Sequence, residues 1–135
     1  MILSIIIPVY NEEKTIIGVL EKIKNNISDL CKHEIIVIDD GSTDESKKLL
    51  EKNKHLFDKL LSNDTNKGKG FSVKKGILNA SGSHIIFQDA DYEYNPAEFK
   101  KFEKLFIDFD ADGIIGSRFI SPVAIDHPII GGNAP

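Results

Sequence analysis

Short aliphatic runs recur along this chain, and each one stops at a cluster of polar residues. Ile2 to Val9 is nearly continuous, interrupted only by Ser4 and Pro8. Ile35 to Ile38, Ile85 to Phe87 and Ile114 to Ile115 repeat the pattern. Runs this short and this apolar suit strands buried on both faces, as in a parallel sheet. Between them the period changes to that of a helix. Ile16, Val19, Leu20, Ile23 and Ile27 share one helical face, behind a cap at Asn11 and a first turn holding Glu12 and Glu13. Ser42 and Glu45 have capping-box spacing ahead of Leu49 and Leu50. "NKGKG" opens a helix with Val73, Ile77 and Ala80 on one side, stopped near Gly82. Asn95, Pro96 and Glu98 begin another, whose Phe99, Phe102, Leu105, Phe106 and Phe109 form a core face. "HLFDKLLSN" is a less regular strand, and residues 121–135 read as an irregular tail. Strands alternating with helices imply βαβ units and an α/β fold with a sheet covered on both faces.

The bulk numbers narrow the function. A chain of 135 residues, 41% apolar and 28% charged, suits one soluble domain with a real core. Its net charge of −4 argues against a nucleic-acid partner, which asks for a basic face. The lone Cys31 excludes an internal disulfide and suits a reducing, cytoplasmic setting. His33, His55, His84 and His127 lack metal-ligand spacing. The apolar N-terminus has no charged leader region and is too short to span a bilayer, so a buried strand accounts for it.

In such sheets ligands bind beyond the carboxyl ends of the strands, at a point where the strand order reverses. The polar clusters sit there: "YNEE", "DDGS", "QDAD" and "SR". Asp89 and Asp91 stand one residue apart at the end of an apolar run. Residues i and i+2 share a face of a strand, and two converging carboxylates repel unless a cation joins them. Hard oxygen donors suit Mg²⁺ or Mn²⁺; the alternative is a solvated turn before a helix. An EF-hand loop fails because Tyr94 and Lys100 occupy its Gly and Glu positions. A phosphoaspartate pair belongs after the first strand, where this chain has "VYNEE". Val73 breaks a G-x-G-x-x-G reading of Gly68–Gly70, and no Walker A pattern occurs. Lys69 and the backbone N–H groups of that turn either face an anion or form a solvated loop. Asp39 and Asp40 either shape a helix-entry turn or accept hydrogen bonds from a base and ribose. Arg118, beside sixteen lysines the only guanidinium, either grips a phosphate bidentately or makes a surface ion pair.

Five ordered segments, "SIIIPVYNEEKTI", "EIIVIDDGSTDES", "NKGKGFSVKKGILNASG", "IIFQDADYEYNP" and "DGIIGSRF", resemble family 2 glycosyltransferases over residues 2 to 120. The similarity is greatest to the polyprenyl-phosphate mannose or glucose synthase-like branch. It implies a GT-A fold, a Rossmann-like three-layer α/β/α arrangement with a mostly parallel sheet, in a nucleotide-sugar-binding domain over residues 1–120. It also implies an inverting, metal-dependent transfer of a hexose from a UDP- or GDP-sugar to a hydroxyl or polyprenyl phosphate. On that resemblance Pro8, Tyr10, Glu12, Asp39, Asp40, Lys69 and Asp89 would serve the nucleotide. Asp91 and Asp89 would hold Mg²⁺ or Mn²⁺, with Asp89, Asp91 and Arg118 as the catalytic set. A cytoplasmic protein is expected, with a peripheral place at the inner membrane face as the other option. Family members continue into an acceptor-binding half that carries the general base. The chain is therefore expected to be a donor-binding half, with a nucleotide-binding module or partner subunit without turnover as the alternative. Self-association through the last strand, "GIIG", is a further expectation. A nucleotidyltransferase would need a Gly- and basic-rich loop where "VYNEEKT" stands.

Overall fold

A computed structural model of the chain describes residues 1–27 and 31–90, together with positions 101, 104, 107, 108, 114, 115, 129 and 130. β1 (Ile2–Val9), β2 (Lys32–Asp39), β3 (Lys59–Ser62) and β4 (His84–Phe87) form one sheet in the order β3-β2-β1-β4. Every neighbouring pair in it is parallel. The crossovers carry α1 (Ile16–Asn26), α2 (Ser46–Lys52) with a short 3₁₀ turn at Lys54–Leu56, and α3 (Lys69–Leu78).

Strand alternation sorts the core into two layers. Leu3, Ile5, Ile7 and Val9 of β1, with Ile35 and Val37 of β2, pack on Ile16, Val19, Leu20 and Ile23 of α1 and on Leu50 of α2. Ile6, Ile36 and Ile38 point the other way, toward α3. The helical face read for α1 is therefore the buried one. For α3 the face is different: Ile77 is 40% exposed, and Ser72 and Gly76 are the buried residues. A side chain at Gly76 would begin 2.7 Å from Ile6 Cγ2 and 2.9 Å from Ile38 Cδ1. Close approach to the sheet selects small residues there, which a search for apolar periodicity passes over. α3 also ends at Leu78, before Gly82.

Two expected caps are not formed. α1 starts at Ile16 behind Thr15, and α2 starts at Ser46 behind Glu45, neither with a side-chain cap. Asn11 and Ser42 are used instead to join two loops, as described below. The helix entry at Asn95, Pro96 and Glu98 and the phenylalanine face lie outside the described residues; Lys101, Lys104, Ile107 and Asp108 are helical and exposed. The tail is not wholly irregular, since β5 (Ile114–Ile115) pairs antiparallel with β6 (Ile129–Ile130). One edge of the "GIIG" strand is thus taken by the chain itself.

At the amino end of the sheet, Glu34 is buried on the α3 face. Its Oε2 accepts hydrogen bonds from Ser4 Oγ at 2.7 Å and the Ser81 N–H at 2.9 Å. Its Oε1 accepts from Ser81 Oγ and faces Lys59 Nζ, each at 2.9 Å. Burial pushes the carboxyl upward, but Lys59, Ser81 and Ser4 together bring it down to about 2. This cluster fastens the end of the α3 crossover to β1 and β2.

Candidate functional site

β1, β2 and β3 step outward in one direction, and β4 returns to the other side of β1. In parallel α/β sheets such a reversal is where a ligand crevice forms, here past the carboxyl ends of β1 and β4. Tyr10, directly after β1, is 43% exposed there. Gln88, Asp89 and Ala90 follow β4, with the Gln88 N–H donating to the Ile6 carbonyl at 3.0 Å.

The first two strand-end loops are bonded to each other. Asn11, at φ +50°, accepts through Oδ1 from the N–H groups of Thr43 (2.8 Å) and Asp44 (3.2 Å). Its own N–H donates to Ser42 Oγ, and the Glu12 N–H donates to Ser46 Oγ at 2.9 Å. Glu13 Oε2 accepts from the Glu45 N–H, and Asp44 Oδ2 from the Glu13 N–H. Partial burial pushes the Asp44 carboxyl up, but bonds from the Ser46 hydroxyl and from N–H groups of Ser46 and Glu13 hold it below the usual carboxylate range. Thr15 Oγ1 lies 2.8 Å from the Ala90 carbonyl and 3.2 Å from Glu12 Oε2. It thereby ties the start of α1 across the crevice to the segment after β4.

Asp39 and Asp40 are both buried, on opposite faces. Asp39 Oδ1 accepts from the Ser42 N–H at 3.4 Å. Asp40 faces α3 and accepts three hydrogen bonds. Its Oδ1 accepts from Asn63 Nδ2 and the Lys67 N–H, each at 2.8 Å, and its Oδ2 from the Gly68 N–H at 3.0 Å. Asn63 Nδ2 also lies 3.0 Å from Ser72 Oγ, inside α3. Gly41, at φ +68°, makes room for the same loop: a Cβ there would meet the Thr65 carbonyl carbon and lie 2.5 Å from the Asn66 nitrogen. The carboxylate expected to reach base or ribose is therefore occupied in holding the Asn63–Gly68 turn.

That turn delivers Lys69, the first residue of α3, to Asp89. Its Nζ forms an ion pair with Asp89 Oδ1. Of the residues singled out from sequence, these two are joined directly. Pro8 lies in β1, opposite Ile38, and Glu12 beside Thr15. Asp91 and Arg118 lie outside the described residues. Sequence reading missed Thr15, Asp44, Ser46 and Asn63, each of which has a partner 9 to 75 positions away. Among the described residues no group of three or more His, Cys, Asp or Glu forms a ready-made metal cluster. Asp89 still suits a hard cation: it is a carboxylate at a strand end, 24% exposed, and already holds a positive charge.

A parallel α/β sheet with acidic residues at its strand ends around a switch point defines a Rossmann-like class. Residues 4–129 match the profile of Glycosyl transferase family 2, and the chain belongs to that family. It is 36% identical over 113 residues to the dolichyl-phosphate beta-glucosyltransferase of Dictyostelium discoideum, covering 76% of this chain and 34% of that one. Staphylococcus aureus TarS 1–349 in complex with UDP-GlcNAc superposes at a TM-score of 0.68 with 31% identity, over 81% of this chain and 32% of that one. The glucosyl-3-phosphoglycerate synthase of Mycobacterium tuberculosis, in complex with Mn²⁺, UDP and glucosyl-3-phosphoglycerate, gives 0.57 and 26% over 78% and 37%. The fold is thus the GT-A type. The chain spans from 31% to 55% of the length of the first curated relatives it matches. No helix among the described residues is long and apolar enough to cross a membrane.

Proposed function

We propose that this chain binds the nucleotide-sugar donor of an inverting, metal-dependent glycosyltransferase that passes a hexose from a UDP- or GDP-sugar to a hydroxyl or polyprenyl phosphate. The observation that carries the reading is Asp89, partly exposed at the end of β4 beside the switch point and paired with Lys69. In this reading Pro8, Tyr10 and Glu12 line the nucleotide cleft. Asp39 accepts from the base N–H, and Asp40 acts through the Asn63–Gly68 turn. Asp89 and Asp91 would hold Mg²⁺ or Mn²⁺, which supplies Lewis-acid neutralisation of the diphosphate. Lys69 and Arg118 add fixed positive charge where the departing nucleoside diphosphate becomes more negative. The names of relatives acting on dolichyl phosphate support a lipid-phosphate acceptor; a cytoplasmic protein, with a peripheral place at the inner membrane face, completes the reading. A nucleotide-binding module or partner subunit without turnover is the second reading.

Calorimetric titration of UDP and GDP, each with Mn²⁺ and with chelator, on the wild type and on Asp91→Ala tests the proposal. One nucleotide should bind with metal and lose its affinity on chelation or in the variant. Binding of neither nucleotide to the folded chain would overturn it. Hydrolysis or transfer of donor by the chain alone would then separate the enzyme from the module.

A further inference from the structure

Resting on that donor-site reading, the geometry points to Lys69 as an exchangeable counter-cation: its ammonium holds Asp89 until metal and diphosphate arrive, then passes from the carboxylate to the phosphates. Three features of the chain support this.

Lys69 is badly placed for a residue without an anion. It opens α3, where the helix dipole already presents positive charge, and no acidic residue lies in that first turn. Asp89 answers it from across the crevice, 20 residues on. Secondly, the pair is asymmetric in its freedom. Asp89 is 24% exposed and sits two residues past β4, whereas the Lys69 side chain is 64% exposed on a long stem. The lysine is the partner that can swing away. Thirdly, its backbone is anchored. Asp40 holds the N–H groups of Lys67 and Gly68, and Asn63 links Asp40 to Ser72 of α3. The side chain therefore pivots from a fixed point close to Asp89. Asp89, were it to hold a divalent ion, would give up its bond to Lys69, and the freed ammonium would be available to the phosphates of a bound donor.

The consequence is a change of sign. Lys69 opposes metal binding alone and favours binding of metal together with nucleotide, so it suppresses occupation of the site by metal without donor. Mn²⁺ titrations followed by electron paramagnetic resonance, without nucleotide and with saturating UDP or GDP, read both halves on the full chain. Lys69→Met should bind Mn²⁺ alone roughly two- to fivefold more tightly than wild type, the range set by a part-exposed ion pair. The same variant should bind the nucleotide about tenfold more weakly in the presence of Mn²⁺. Lys69→Arg should keep the wild-type pattern. Lys74→Met, which removes an exposed charge from the same helix without touching Asp89, should leave both constants near wild type. Equal or weaker Mn²⁺ binding by Lys69→Met, or the same gain in Lys74→Met, overturns the exchange. If wild type binds Mn²⁺ but neither nucleotide, the donor-site reading itself fails and takes the exchange with it. If nucleotide binds and only the change of sign is missing, the exchange alone fails.

Discussion

At the scale of single residues, two buried acids, Asp40 and Glu34, are engaged by hydrogen bonds inside the fold. Asp40 satisfies three donors inside the fold. Asp40→Ala leaves those donors without their acceptor and should destabilise the chain by at least about 2 kcal/mol, read as a lower urea midpoint at unchanged m-value. Asp40→Asn keeps one acceptor oxygen and should lose less. Glu34 makes the pH dependence. Its folded value of about 2 lies below the ordinary 4.5, so its contribution is complete above pH ~4.5. That contribution, on the order of 3 kcal/mol, is lost as pH falls from there toward 2. Glu34→Gln should flatten the urea midpoint across this window, and an unchanged slope would show that other carboxylates set it.

At the scale of elements, loops rather than helices organise the crevice. The Asn11–Glu13 loop and the Ser42–Ser46 loop exchange hydrogen bonds in both directions, and Thr15 reaches the Ala90 carbonyl. Asn11→Ala removes the acceptor for two N–H groups in a part-exposed loop. It should cost about 1 kcal/mol of stability while weakening nucleotide binding in calorimetry by more than the stability change implies. Gly41 is held by conformation and by contact together. Gly41→Ala places a Cβ against the Thr65–Asn66 backbone at a positive φ, and should cost about 2 kcal/mol or more. Gly76 is crowded by side-chain tips, so Gly76→Leu should overpack α3 against Ile6 and Ile38 by about 1–3 kcal/mol, whereas alanine is tolerated better. Thermal melts of the two glycine variants distinguish backbone strain from overpacking, because only the second is relieved by trimming Ile38 to Val, which removes the Cδ1 that lies 2.9 Å from a side chain at Gly76.

At the scale of the whole molecule, donor and metal should stabilise the fold by linkage. Nucleotide at a hundredfold excess over its Kd, with Mn²⁺, adds about 2.7 kcal/mol and raises the Tm accordingly. Chelator should return the Tm to that of the chain alone. The ligand elements are spread over the βαβ units from β1 to β4, so this stabilisation should appear as one cooperative shift and not as a separate early transition. A second, unshifted transition would mean that the crevice unfolds independently of the sheet.

The aliphatic runs by themselves determined the strands and the α/β class, and for β1 and β2 the burial on both faces, because a strand covered twice has no polar face to show; β4 is only half-buried, with Phe87 55% exposed. Ordered motifs at the strand ends likewise fall at the edge where the donor site is proposed, since parallel strands gather their carboxyl ends there. Three matters were left to the tertiary structure. Asn11 and Ser42 have the chemistry of helix caps, yet each found a better partner in the neighbouring loop. The buried face of α3 rests on Ser72 and Gly76, because proximity to the sheet outweighed hydrophobicity. Asp39 and Asp40 look equivalent in the chain, but alternation turns them to opposite faces. Only packing decides which of them is spent on the fold, because hydrogen-bond partners many positions apart are chosen by where the backbone brings them together.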